Sequence, residues 1–408
     1  MQESIHPEVD QGDMPGGRPT RIAVIMSMIA PYTTPMFERI TQREDCELLV
    51  VYETPMERDR RWKPQTHLPY DHVVLKSWTL DLSWLAVGAG VKTRFDTYLH
   101  VPKHPLDALL RFRPDAVVAA GGGIWSSPAN IAALWARRRT GWALIPWWGS
   151  FRRPRPTLPR RISEPWVRIF IRSADAWMGY GRRSERDLVR LGADPARTVV
   201  APIVPRVPAG AAAGMAAGRA REDPLRFLFV GRLIERKGVD VLLSAFEQLK
   251  RGELWIAGDG PLRSTLEKAA GSDPRVRFFG HLEEQALSEL YSGVDVLVVP
   301  SWYEPWGLVV HEALAYAVPV IATDQVGATE DLVKAGVNGL IVPAGSPGHL
   351  AEAMRRVTTW NALDWKRNAE CSREKLANWT IERAADAFVQ ACRLGIRHRS
   401  GGASREMS

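Results

Sequence analysis

Short apolar runs recur along this chain, and most are followed by a stretch with helical spacing. The first, RIAVIMSM at residues 21–28, is rich in Ile and Val and reads as a buried strand. PYTTPMFERI follows it, with a Pro near a helix start and amphipathic spacing afterwards. CELLVVYE at 46–53 is a second strand. After a polar and aromatic stretch, DALLRFRPDAVVAAGGG reads as a helix and then a strand, and WALIPWW at 142–148 as one more strand. Residues 185–204 read as a helix, a turn at Pro195 and a strand. Apolar strands alternating with helices predict a parallel sheet covered on both faces.

The alternation stops at VPAGAAAGMAAGRAR, residues 207–221, which is mostly Ala and Gly without an apolar period and marks a linker over 207–224. It then restarts: LRFLFVG, a helix over GVDVLLSAFEQLK, ELWIAGDG, a helix over PLRSTLEKAA, VRFFG, a helix over EEQALSELYSG, VDVLVVP, a helix over LVVHEALAYA, and VPVIATD. The predicted fold class is therefore α/β, with two doubly wound Rossmann-like units facing a central cleft. The first unit spans residues 21–206 and the second 225–375. Residues 1–20 and 399–408 are expected to be disordered tails, with a helix at 376–398 packing back on the first unit. No internal sequence repeat is present.

Composition agrees with this division and adds an asymmetry. The length of 408 residues suits two to three domains, and 45% hydrophobic with 25% charged residues describes an ordinary globular protein. The net charge of +8 is unevenly placed: residues 1–210 hold 30 basic and 21 acidic side chains, whereas residues 211–408 hold 24 and 25. Ten Arg lie within 137–172 against one acid, Glu164, and ten of the 16 Trp lie in the first half. Such a stretch, with Trp147, Trp148, Phe151, Trp166 and Phe170 beside the cations, suits an anionic bilayer surface, nucleic acid, or a solvated Pro-broken loop. No recognised nucleic-acid motif accompanies it, so nucleic acid is set aside as a partner. Three Cys without paired spacing indicate neither a disulfide framework nor a zinc site. The polar N-terminus is unlike a signal peptide, and the longest uncharged stretch, 116–136, is broken by three consecutive Gly and by Pro128. The expected location is therefore the cytoplasm.

Candidate chemistry concentrates at strand ends of the second unit. LRFLFV runs into GRLIERKG, where Gly231 lets the backbone turn near a ligand and Arg232 and Lys237 can hold a diphosphate; alone, this string equally describes a solvated basic loop. A second turn, GDGP at 258–261, lacks the full GxGxxG fingerprint, which disfavours a nicotinamide or flavin enzyme. In PSWYEPWGLVVHEALAYAVPVIATD, residues 300–324, Glu304 lies in a loop and Glu312 about one turn into the next helix. Between them Gly307, Leu308 and Val309 begin that helix, whose free N–H groups and dipole favour phosphate.

GRLIERKG, GDGP, VRFFGHL and the Glu304/Glu312 pair, in this order and at these intervals, resemble the C-terminal half of a retaining family 4 glycosyltransferase of the GT-B fold. The likeness covers residues 225–345 well and the first half only in outline, through PYTTPMF and SADAWMGYG. It implies that Arg232 and Lys237 bind the diphosphate of a nucleotide sugar, with Glu304 beside them at the donor sugar. Glu312 would hold the ribose, the backbone at Gly231 and Gly307 to Val309 would cradle phosphate, and His281 with Leu282 would line the base pocket. Trp306 stands where the family usually has Phe, and Ala317 where Gly is common.

The family often places a His near the anomeric centre, but the matching stretch reads GGGIWSSPANIAAL. Gly122, Gly123, Trp125 and Ser126 are the acceptor-side candidates in its place. Asp-x-Asp occurs nowhere in the chain, so catalysis without a metal is expected, and no cofactor beyond the nucleotide-sugar co-substrate is implied. The resemblance implies a glycan or lipid-linked acceptor, cell-surface polysaccharide or glycolipid assembly, and a place at the inner face of the membrane through residues 137–172. The alternatives are a GT-B enzyme that does not transfer sugar, such as a nucleotide-sugar epimerase, and a basic nucleic-acid-binding protein.

Overall fold

The computed structural model describes residues 17–56, 67–81, 98–120, 127–151, 158–207, 211 and 224–406. The first half contributes β1 (Thr20–Met28), β2 (Cys46–Thr54), β3 (His72–Val74), β4 (Ser77–Asp81), β5 (Tyr98–Pro102), β6 (Ala116–Ala120), β7 (Ala143–Trp148), β8 (Trp177–Gly179) and β9 (Thr198–Val200). The second contributes β10 (Arg226–Val230), β11 (Glu253–Ala257), β12 (Val276–Gly280), β13 (Val296–Val299), β14 (Val320–Thr323) and β15 (Gly339–Val342). Two sheets result, in the orders β3-β2-β1-β6-β7-β8-β9 and β12-β11-β10-β13-β14-β15, with β4 and β5 as a separate antiparallel pair. Every pairing within the two large sheets is parallel.

Strands buried on both faces explain the uninterrupted apolar runs. Ile22, Val24 and Met26 of β1 join one core cluster, and Ala23 and Ile25 join the cluster on the opposite face. The second sheet does the same: Phe227 and Phe229 point into one cluster and Leu228 into the other. Each large side chain so buried contributes roughly 1.5–3 kcal/mol of transfer free energy.

The strand orders place the functional crevices. Sequence neighbours part company between β1 and β6 in the first sheet and between β10 and β13 in the second. At such switch points the connecting helices leave to opposite faces, opening a crevice at the carboxyl ends of the strands.

The first core is completed from the far end of the chain. Ala384, Phe388 and Cys392 of the helix Ile381–Glu406 lie in the same cluster as Ile22, Phe37 and Trp147, and the Phe388 ring stands 5.4 Å from Trp147 and 6.2 Å from Phe37. That helix extends to Glu406, past residue 398 where a tail was expected, and Arg399 Nη2 donates to the Arg137 carbonyl of the first unit at 3.0 Å. Most of the expected linker, and Gly122, Gly123, Trp125 and Ser126, lie outside the described residues. The Arg-rich stretch is helical over Leu158–Arg172, with Pro165 inside, rather than a Pro-broken loop throughout. Short β3, β4 and β5 were hidden in the polar and aromatic stretch because, with few buried positions, they carry little apolar signal.

Candidate active site

The switch point of the second sheet brings together two segments far apart in sequence. The turn after β10 is joined to the turn after β11: the Gly231 N–H donates to the Ala257 carbonyl at 3.0 Å, and the Leu233 N–H to that of Asp259 at 2.9 Å. The approach is so close that a Cβ on Gly258 would stand 1.8 Å from the Gly231 carbonyl oxygen, which only glycine permits. The chain then makes one 3₁₀ turn over Glu235–Lys237. It delivers the Lys237 ammonium to the loop after β13, where Nζ donates to Oε2 of Glu304. Arg236 Nη1 lies 3.9 Å from the same carboxylate and donates to the Tyr303 carbonyl at 3.1 Å. Burial pulls the Lys237 pKa below its ordinary value, and the Glu304 charge acts against that fall. The pair is mostly buried, with Lys237 16% and Glu304 13% exposed at the side chain.

Glu304 is held by its backbone as well. Its N–H donates to the Gln325 carbonyl and its own carbonyl accepts from the Gly327 N–H, both at 2.9 Å. The chain then turns at Gly307, whose φ of 100° lies in the left-handed region and where a Cβ would meet Val326 at 3.0 Å. This turn aims the first N–H groups of the helix Leu308–Ala315 at the crevice. One turn along, the Tyr291 hydroxyl donates to Oε2 of Glu312 at 2.8 Å, while burial raises the Glu312 carboxyl pKa above the usual range. Tyr291 in turn stacks on Tyr316 at 5.4 Å.

Of the residues proposed from sequence, the structure thus places Lys237 against Glu304, Gly231 and Arg232 directly after β10, and Gly307 to Val309 at the start of the helix between β13 and β14. His281 is exposed and Leu282 half-buried at the end of the edge strand β12, two strands from β10. Trp306 is buried and turns to the seam between the halves, stacking on Trp379 at 5.1 Å and lying beside Gly181. Ala317 has a φ of 55°, a left-handed conformation that accounts for the frequency of Gly at this place in the resemblance.

Arg236, Tyr303, Gln325 and Tyr291 are the members that sequence reasoning missed. Arg236 sits in the basic turn already singled out, so charge alone could have found it. The others act through hydroxyl and carbonyl groups, which no spacing rule exposes.

A surface of different character lies on the first half. Ile162, Trp166 and Ile169 of the helix Leu158–Arg172 are 63%, 59% and 55% exposed, at the spacing of one helix face. Trp135, on the helix Pro128–Thr140, is 78% exposed, with Arg138 and Arg139 exposed after it. Not all the Arg are free to meet a partner: Arg137 pairs with buried Asp175 at 2.9 Å, and Arg168 with Glu164 at 3.0 Å. Among the described residues, no helix is long and apolar enough to cross a membrane.

Comparison with known proteins bears on both halves. Residues 224–359 match the family model described as glycosyl transferases group 1. The chain is 36% identical over 151 residues to an uncharacterized glycosyltransferase of Methanocaldococcus jannaschii, covering 36% of this chain and 37% of that protein. It is 30% identical over 294 residues to the D-inositol 3-phosphate glycosyltransferase of Xylanimonas cellulosilytica, covering 61% and 70%. The matches span less than half the length of the first of these curated relatives. Among solved structures, an Anabaena protein crystallised with UDP and glucose superposes with a TM-score of 0.65 at 16% identity, over 91% of this chain and 98% of that one.

Proposed function

The chain belongs to the group 1 glycosyl transferases and has a GT-B fold, and from that premise we propose that it moves a sugar, with retention of configuration, from a nucleotide-diphosphate donor to a glycan or lipid-linked acceptor. The observation that carries this reading is the meeting of Lys237, Arg236 and Glu304 at the β10/β13 switch point, in front of the N-terminus of the helix Leu308–Ala315.

The chemistry follows from those groups. The negative charge that grows on the departing diphosphate is met by Arg232 and Lys237 and by the N–H groups at Leu308 and Val309, in a site where water is largely excluded. Before the donor arrives, Glu304 holds the Lys237 ammonium in place. A phosphate competing for that ammonium releases the carboxylate towards the sugar hydroxyls. Glu312, oriented by Tyr291, accepts from the ribose, and His281 with Leu282 lies where the base is received. Catalysis proceeds without a divalent ion, and activity persists in chelator. The acceptor is handled by the first half, whose exposed Trp135, Ile162, Trp166 and Ile169 and nearby Arg rest on an anionic membrane at the cytoplasmic face during cell-surface polysaccharide or glycolipid assembly.

The test is a thermal-shift panel over UDP, GDP and ADP. A ligand at 100 times its Kd stabilises the fold by about 2.7 kcal/mol, so the right nucleotide raises the melting temperature by several degrees. UDP comes first, because the Anabaena structure holds it. Failure of all three nucleotides and of their sugars to shift the transition would overturn the assignment.

A further inference from the structure

The donor carboxylate is tied not only to its own half but also to the other one. Tyr303, next to Glu304 in sequence and 3% exposed, extends its hydroxyl across the cleft to the loop after β7. There it accepts from the Phe151 N–H at 3.2 Å and pairs with the Ser150 hydroxyl at 2.9 Å. The Tyr303 and Phe151 rings lie 4.8 Å apart. Arg183, at the start of the helix Arg182–Leu191 of the first half, stacks its guanidinium 4.4 Å from the centre of the Phe151 ring. The same guanidinium donates through Nη1 to the Asp324 carbonyl at 2.6 Å and to the Val326 carbonyl at 3.3 Å.

Those two contacts flank Glu304 from either side. Tyr303 precedes it in the chain, while residues 325–327 form the neighbouring strip whose Gln325 carbonyl and Gly327 N–H bond the Glu304 backbone. Each strip is thus gripped by a different group of the first half: the first by Ser150 and Phe151, the second by Arg183. Any relative movement of the halves must break these bonds or carry Glu304 along. Ser150 and Phe151 themselves lie within the Arg-rich stretch 137–172.

We propose that Tyr303 and Arg183 are positioning residues, a clasp that sets where Glu304 stands relative to the acceptor half and so aligns the donor sugar with the acceptor. This rests on the transfer reaction proposed above, but the clasp itself is a geometric statement about the two halves. Nucleotide binding draws on Arg232, Lys237 and the helix N-terminus, all within the second half, and does not require it. The clasp therefore acts on kcat rather than on donor affinity.

Two variants and two readouts test this. Tyr303→Phe keeps the ring that packs on Phe151 and removes only the hydroxyl; Arg183→Ala removes the second tie. In steady-state transfer assays, Tyr303→Phe is expected to lower kcat about tenfold while donor KM and nucleotide affinity stay within twofold of wild type. In small-angle X-ray scattering, the double variant is expected to show a larger radius of gyration than wild type in the same buffer. An unchanged kcat in Tyr303→Phe, or a loss of nucleotide affinity equal to the loss of kcat, overturns the proposal. So does a double variant whose scattering superposes on that of wild type. The scattering result decides the clasp even if no nucleotide binds, so its failure is distinct from failure of the transferase reading.

Discussion

The two halves share an architecture but distribute their charged and apolar groups differently. The second half, with 24 basic and 25 acidic residues over 211–408, gathers its site from a few placed groups at the ends of adjacent strands: one ammonium on one carboxylate, and one helix N-terminus. The first half, with 30 basic and 21 acidic residues over 1–210, spreads its distinctive chemistry over exposed helix faces away from the sheet. A small anionic ligand with fixed geometry rewards converging donors in a dry crevice. An extended anionic surface rewards many weak contacts, each about 1 kcal/mol, with no single one decisive. Damage to the first kind of site should therefore be abrupt, and damage to the second kind gradual.

The sharpest test of that contrast is Lys237→Ala. It removes a cation assigned to the leaving diphosphate and takes from the mostly buried Glu304 carboxylate its hydrogen-bonded ammonium partner. We expect the transfer rate to fall by about 10²–10³-fold, the range typical for removing one group that stabilises developing charge, with a melting temperature also lowered by loss of the mostly buried ion pair. A loss below tenfold in a folded variant would mean that the charge is carried elsewhere in the turn, with Arg236 the nearest substitute.

The same contrast explains what could be read from the sequence alone. The doubly wound pattern was visible because strands such as Ile22–Met26 and Phe227–Phe229 bury both faces, leaving unbroken apolar runs. Gly231, Lys237, Glu304 and Glu312 were visible because the constraints are local: a glycine where backbones touch, and acids at fixed offsets from a helix start. Tyr303 and Arg183 were not, since each reaches its cross-cleft partners over 140 or more positions of sequence. The Arg count over 137–172 also misled in part, since ion pairs such as Arg137 with Asp175 are spent inside the fold. The closing role of Phe388 in the first core depends on a return of the chain that periodicity alone cannot place.

At the seam between the halves, Asp331 offers a second test, of intermediate size. Its Oδ2 accepts from the Arg182 N–H at 3.2 Å across the seam, and Arg182 Nε lies 3.5 Å from Oδ1. Burial nevertheless pushes the carboxyl up to about 7 from 3.8, against the pull of Arg182 and Lys375. The folded state thus binds a proton more tightly than the unfolded chain between those values, so this group's contribution to stability declines as pH rises from about 4 to 7. Asp331→Asn keeps an acceptor for the Arg182 N–H and removes the titration. The variant should gain on wild type by about 4 kcal/mol between pH 4 and 8 in paired denaturation curves, the free-energy equivalent of a carboxyl pKa moved from 3.8 to about 7. Taking the difference between the two proteins cancels the opposite slope from His311, which burial holds down to about 4. A constant difference across that range would show that Asp331 is already ionised at low pH in the folded protein.

The smallest effect belongs to the first half. Replacing Ile162, Trp166 and Ile169 together by Ser removes the exposed apolar stripe of the helix Leu158–Arg172 while leaving its buried face, with Phe170 and Ile171, in the core. Flotation with vesicles containing acidic lipid should recover wild type at low salt. About tenfold less of the triple variant should float, because apolar insertion and charge each supply only part of the binding. Raising the salt should weaken both proteins, since the Arg contribution is screened beyond a Debye length of about 8 Å at physiological ionic strength. The nucleotide-induced rise in melting temperature should be the same in both, as the donor groups sit in the other half. If wild type fails to float at low salt, or the variant floats equally well, the stripe is not a membrane contact. A loss of nucleotide response in the variant would instead break the separation of the two halves on which the comparison stands.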